Sequence, residues 1–171
     1  MLAIALAHKP HAACLVPEKR EERTTEGGLD VVGGFAQIKP CCDKLREAGI
    51  RVSLFIEADR KALEAAVALK APVVELHTGA WCEAILAGHG EDAQRHYHRL
   101  CEAAEIGHTM GLEIHVGHGL DYETAEIMSA LPQVYELNIG HYMIGEAIFE
   151  SLPVVVSKMK AAIKRGYDKR V

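Results

Sequence analysis

Four short segments of this chain each carry one apolar and one polar lane, and helical sequence follows each of them. Along 51–57 the apolar lane holds Leu54 and Ile56, and the other lane holds Ser53 and Glu57. Along 72–78 the lanes are Val74 and Leu76 against Glu75 and His77. Along 112–118 they are Ile114 and Val116 against Glu113 and His115, and along 135–140 Leu137 and Ile139 against Glu136 and Asn138. Neighbouring residues of a strand point to opposite faces, so each segment reads as a strand with one dry face and one polar face. A further strand, Ala12 to Val16, precedes them. Strands alternating with helices imply a mainly parallel sheet. A doubly wound sheet has helices on both faces and should show two apolar lanes. A polar lane instead suits a barrel, where one face meets helices and the other lines a lumen.

The fold class is therefore α/β, of the (β/α)8 TIM-barrel family. Such a barrel has eight strands in ~250 residues, whereas this chain has 171 residues and five readable strands. Met1 to Ala7 is helix-like with no capping residue ahead of it. The expectation is an N-terminally truncated barrel with about five parallel strands. Residues 1–171 would form one partial domain supplying strands four to eight.

Local signals place the helices. Asp59 caps a helix with Leu63, Ala66 and Val67 on its inner face. Pro40 predicts a break or late start in the helix from Phe35 to Gly49. Gly79 to Gly90, with the lone Trp81, reads as a loop. A helix from about Glu91 to Met110 follows, and Asp121 caps another that reaches Ala130. Helices over 143–150 and 153–165 end the chain, the last capped by Ser151 and closed by Gly166.

The net charge of −5 argues against nucleic acid or an anionic membrane as a partner, since both need a basic face. No apolar run approaches the ~20 residues of a membrane span, and the opening lacks a signal-peptide pattern. Five cysteines, odd in number and without a CxxC pair, predict reduced thiols in a cytoplasmic protein. Cys41 and Cys42 read as helix packing.

Two strands run into a Gly-His step, at Gly117-His118-Gly119 and at Gly140-His141. Glycine lets backbone N–H groups approach a ligand, and a following helix aims its N-terminus there. A histidine beside it can move a proton near neutral pH. In a barrel, the loops after the last two strands often bind phosphate. The alternative is tight-turn glycines with two polar surface histidines. Glu75, in a polar lane beside His77, is either an acid–base group or half of a lumen ion pair. The ten histidines are poorly spaced for a metal: His115 and His118 face opposite ways on a strand, and His96 and His98 diverge on a helix. No metal is expected. The stretch Glu21 to Asp30 reads as a solvated polar loop.

Several strings are more specific than these patterns. Leu15-Val16-Pro17-Glu18-Lys19-Arg20 and Thr24-Thr25-Glu26-Gly27-Gly28-Leu29-Asp30 resemble the pyridoxine 5′-phosphate synthase family. So do Val52-Ser53-Leu54-Phe55-Ile56, Glu75-Leu76-His77-Thr78-Gly79, Gly117-His118-Gly119-Leu120 and Glu136-Leu137-Asn138-Ile139-Gly140-His141. The resemblance runs through essentially the whole chain in order. It implies a cytoplasmic homo-octamer of eight-stranded barrels. The implied reaction joins two small phosphorylated substrates, 1-deoxy-D-xylulose 5-phosphate and 3-amino-2-oxopropyl phosphate. Pyridoxine 5′-phosphate, phosphate and water result, with no metal or organic cofactor. By motif, His118 resembles the proton donor and Glu75 the transition-state stabiliser. Thr24 matches a contact to the deoxyxylulose phosphate. Gly119, Gly140 and His141 match contacts to the aminoketone phosphate.

Two departures stand out. Pro40 falls where the family is expected to have unbroken helix. The family's N-terminal third, with two proton acceptors and further substrate contacts, has no counterpart here. The chain alone is accordingly expected to fold poorly and to be inactive. Two other readings remain, a barrel enzyme for another phosphosugar and a non-catalytic short form that packs against full-length subunits.

Overall fold

A computed structural model describes residues 1–17 and 27–170. Its elements are α1 (Leu2–His8), β1 (Ala12–Leu15), α2 (Phe35–Glu47), β2 (Arg51–Ile56), α3 (Arg60–Ala68), β3 (Val73–His77) and α4 (Gly79–Leu86). They continue with α5 (Gly90–Thr109), β4 (Glu113–Gly117), α6 (Tyr122–Ser129), β5 (Val134–Asn138), α7 (His141–Glu150) and α8 (Leu152–Tyr167). The strands form one parallel sheet in the order β1-β2-β3-β4-β5. An order that follows the chain without turning back is that of a barrel wall. A doubly wound sheet reverses at a switch point. The architecture is α/β, part of a TIM barrel. The chain divides into two units, Met1–His77 with Ala103–Ile114 and Thr78–Glu102 with His115–Val171.

In the first unit β1, β2 and β3 pair in parallel, with Cys14 opposite Ser53, Leu54 opposite Val74 and Phe55 opposite Glu75. This register sets Leu54 beside Val74 and Ile56 beside Leu76, and these four, with Ile114 of β4, are each 0% exposed. Burying such a side chain contributes about 1.5–3 kcal/mol. Asp59 caps α3 by accepting from the Ala62 N–H at 3.0 Å, and Ala62, Leu63 and Ala66 face inward. Val67 does not join them; it is exposed, and buried Leu69 continues the stripe from Ala66.

Pro40 neither breaks α2 nor delays its start, for the helix runs through it. The proline is on the solvent side, where the Ala36 carbonyl it deprives of a donor can be hydrated. Buried Cys42 and Leu45 hold the opposite side.

In the second unit, the stretch expected as a loop is helix α4, with Trp81 and Cys82 buried. The Trp81 ring lies 5.7 Å from that of Tyr97. Thr78 stands at the N-cap of α4 but makes no side-chain cap, because its hydroxyl is engaged elsewhere. Asp121 opens α6 with a reciprocal capping box: its carboxylate accepts from the Thr124 N–H, and the Thr124 hydroxyl accepts from the Asp121 N–H, both at 2.8 Å. Ser151 makes no side-chain cap for α8. Gly166 does not close α8 either. It lies inside the helix, where a Cβ would strike the Glu126 carbonyl and come within 2.7 Å of the Ser129 Cβ. Its lack of a side chain lets α6 and α8 touch. Lys169 and Arg165 flank the contact and reach Glu126 at 2.6 and 2.7 Å. Together they hold that carboxyl below its ordinary pKa.

Candidate functional site

The polar lane of the first unit is stitched side chain to side chain. At its N-terminal end Arg51 grips Glu113 with two guanidinium nitrogens, at 3.0 and 2.6 Å. Glu75 occupies the middle of β3. The Cys14 thiol donates to its Oε2 at 3.8 Å, a contact set by the neighbouring strand registers. Cys14 is an exposed residue, yet the protein atoms crowded around its sulfur push the thiol up to about 11, and the nearby Glu75 charge adds to this. A thiol so placed stays protonated at neutral pH and acts as a donor rather than a nucleophile. Toward the C-terminal end Phe55 meets His77 edge to face, with centroids 5.3 Å apart. His77 Nδ1 lies 3.0 Å from Glu57 Oε1. Phe55 is a member of this lane that the polar pattern hid.

The second unit holds its groups through backbone shape. β4 ends at Gly117, and His118 then takes φ 80 and Gly119 φ 79. Two successive left-handed residues turn the chain sharply, and for a residue with a Cβ this conformation costs of order 1–3 kcal/mol. Thr78, 0% exposed, secures the turn. Its N–H donates to the Gly117 carbonyl at 2.9 Å. Its hydroxyl oxygen lies 2.8 and 2.6 Å from the Gly117 and His118 carbonyl oxygens, which compete for its one proton. Position 119 favours glycine on two counts: its φ is 79, and a Cβ would sit a tight 3.0 Å from the Cys82 Cβ. Leu120 is buried, and the Asp121 capping box starts α6 at once. His118 keeps a half-exposed side chain on a fixed backbone. Non-glycine residues in left-handed geometry concentrate at functional sites.

After β5 the chain reaches Gly140, the N-cap of α7, and His141 is the first helical residue. The helix thus begins two residues earlier than its periodicity suggests. No side chain caps it, so its first N–H groups and the positive end of its dipole are available to an anion. Tyr122 and Tyr142, in the first turns of α6 and α7, meet at 90° with ring centroids 5.1 Å apart. Burial raises the pKa of both phenols. Nothing in the spacing of these tyrosines signals that they tie the two helix starts together. His115 in the polar lane is buried, with Nδ1 3.6 Å from Glu136 Oε1.

His118, Gly119, Gly140 and His141 therefore belong to the second unit, at the C-terminal ends of parallel strands β4 and β5. Glu75 belongs to the first. Thr24 and Glu18 lie outside the described residues. Among the described residues no group of three His, Cys, Asp or Glu could hold a metal ion. No described helix is long and apolar enough to cross a membrane.

The family model for pyridoxal phosphate biosynthesis protein PdxJ matches residues 1–165. A protein of Rhodospirillum rubrum named pyridoxine 5′-phosphate synthase is 60% identical over 161 residues, covering 94% of this chain and 64% of that protein. One of the same name from Bradyrhizobium diazoefficiens is 55% identical over 166 residues, covering 97% and 66%. Another, from a Rhodopseudomonas palustris strain, is 55% identical over 171 residues, covering 100% and 67%. The chain thus spans about two-thirds of the length of these relatives.

Proposed function

The chain belongs to the pyridoxal phosphate biosynthesis protein PdxJ family, and from that premise we propose that it carries most of a pyridoxine 5′-phosphate synthase. The reaction joins 1-deoxy-D-xylulose 5-phosphate to 3-amino-2-oxopropyl phosphate. The amine of one substrate condenses with the ketone of the other, so the protein's task is to hold two phosphates and move protons at the right atoms. His118 is the proton donor. Gly119, Gly140 and His141 receive the aminoketone phosphate, and the uncapped start of α7 supplies N–H groups suited to an anion. Glu75 stabilises charge in the transition state. Thr24, outside the described residues, contacts the other phosphate.

The observation that carries this reading is the His118–Gly119 turn, two left-handed residues held by Thr78. Lys9, Lys70 and Ser151 also have positive φ, but each closes a helix, where that geometry is ordinary; His118 has it at the C-terminal end of a strand with its ring half-exposed.

The test is product formation from the two purified substrates. It compares this chain with one extended by the three strands that the resemblance puts ahead of β1. The extended chain should release pyridoxine 5′-phosphate and inorganic phosphate only when both substrates are present, and the chain alone should be inactive. An extended, folded chain that makes no product from these two compounds would contradict the assignment.

A further inference from the structure

The carboxylate of Glu57 stands just beyond the C-terminal end of β2 and takes two donors on one oxygen. The Gly28 N–H donates to Oε1 at 2.8 Å, and His77 Nδ1 lies 3.0 Å from the same atom. A carboxylate oxygen only accepts, so Nδ1 carries the proton. The imidazole is held in place: its side chain is 9% exposed, and Phe55 packs against it edge to face. One residue further, the Leu29 N–H donates to the Phe55 carbonyl at 2.7 Å. Gly28 and Leu29 are thus fastened beside the end of β2 by consecutive N–H groups. The approach is close enough to demand glycine. A Cβ at position 28 would lie 2.5 Å from the Ile56 carbonyl carbon and 2.8 Å from the Ile56 Cα. Gly27, just before it, has φ 89. A largely enclosed histidine, a backbone N–H and a side-chain-free approach therefore converge on one carboxylate.

We infer that Glu57 is a positioning residue. Oriented by His77, it fixes the Gly27–Gly28 turn to the end of β2. Through His77 it also steadies the strand end that carries Glu75 two residues earlier. The tie is a matter of geometry alone, and its effect on substrates rests on the synthase reading.

The experiment has two arms, with Glu57→Gln and Glu57→Ala in each. In the chain extended by the preceding strands, amide exchange is followed by NMR. Charge-assisted hydrogen bonds are the stronger kind. The Gly28 amide should therefore exchange roughly tenfold faster in Glu57→Ala, and by less in Glu57→Gln, which keeps an acceptor oxygen. The Leu29 amide and those of β2 should hold within about twofold, their carbonyl partners being untouched. In an active form of the protein, Glu57→Ala should raise KM for one phosphorylated substrate about tenfold, a lost charge-assisted contact, with kcat little changed. An unchanged Gly28 amide in Glu57→Ala overturns the tie. So does a loss of protection across all of β2, which would mean a general structural role. A faster Gly28 amide with an unchanged KM overturns the positioning role. If no form of the protein makes pyridoxine 5′-phosphate, the synthase reading fails, and the exchange arm still decides the tie.

Discussion

Two regions of this protein hold their polar groups by opposite means. In the first unit, the lane through Cys14, Glu75, Phe55, His77 and Glu57 is fixed by contacts between side chains on straight strands. In the second, His118 and His141 follow strand ends where the backbone itself is shaped, by the left-handed pair at 118 and 119 and by the uncapped start of α7. A strand sets its side chains through register, so one altered partner shifts one neighbour. A turn sets them through dihedral angles, so a change at its fastening moves the whole loop. Substitutions in the lane should have graded effects, and substitutions under the turn should have disruptive ones.

Within the lane and the turn's fastening, the largest expected effect is at Cys14. With its thiol raised to about 11 by burial and then by Glu75, Cys14 holds little thiolate at pH ~8.5, where an ordinary cysteine is half ionised. Peptide mapping after iodoacetamide treatment should show Cys14 modified on the order of 100-fold more slowly than a small thiol at that pH. The rate should climb as pH rises toward 11. Glu75→Gln removes the negative neighbour and should speed the reaction. A Cys14 that reacts like an ordinary thiol would mean that its sulfur is neither desolvated nor held against Glu75.

Next is the fastening of the turn. Thr78→Val keeps the shape and removes the hydroxyl that faces the Gly117 and His118 carbonyls. Leaving buried acceptors short of a donor costs about 1–3 kcal/mol. Urea denaturation should report that loss, and the His118 ring resonances should broaden or shift. A neutral substitution would show that the turn stands without Thr78.

The smallest effect lies at the far end of the lane. Arg51→Lys replaces a two-pronged grip on Glu113 with a point charge. Both partners are about one-third exposed, so the change in unfolding free energy should stay below about 1 kcal/mol. A larger loss would make the lane as brittle as the turn and erase the contrast.

What the sequence revealed follows the same division. The strands and their order were legible because burial of one lane imposes a period of two that survives in Leu54, Ile56, Val74, Leu76, Ile114 and Val116. Helix starts were legible at Asp59 and Asp121, whose carboxylates do cap. They were not legible where a residue serves a distant partner. Thr78 has the side chain of a helix cap, but its hydroxyl crosses to the end of β4, and α4 begins at Gly79 without the capping bond that marks other helix starts. Gly166 looks like a terminator because its contact with α6 is more than thirty residues away in sequence. Phe55 and Cys14 join the Glu75 lane through strand registers that no single strand displays. In the candidate site, the glycines beside His118 hinted at a turn. The left-handed geometry of His118 itself has no sequence signal, since histidine does not require it. The tyrosine pair between α6 and α7 is equally silent.

The central claim is that the strained turn exists to present the His118 ring for proton transfer. Single-turnover kinetics of His118→Asn, in the active form of the protein, test it most directly. Losing a proton donor should slow the chemical step by roughly 10²–10⁴-fold and leave substrate affinity nearly intact. An unchanged turnover rate with a raised KM would contradict the claim and make His118 a residue that only binds.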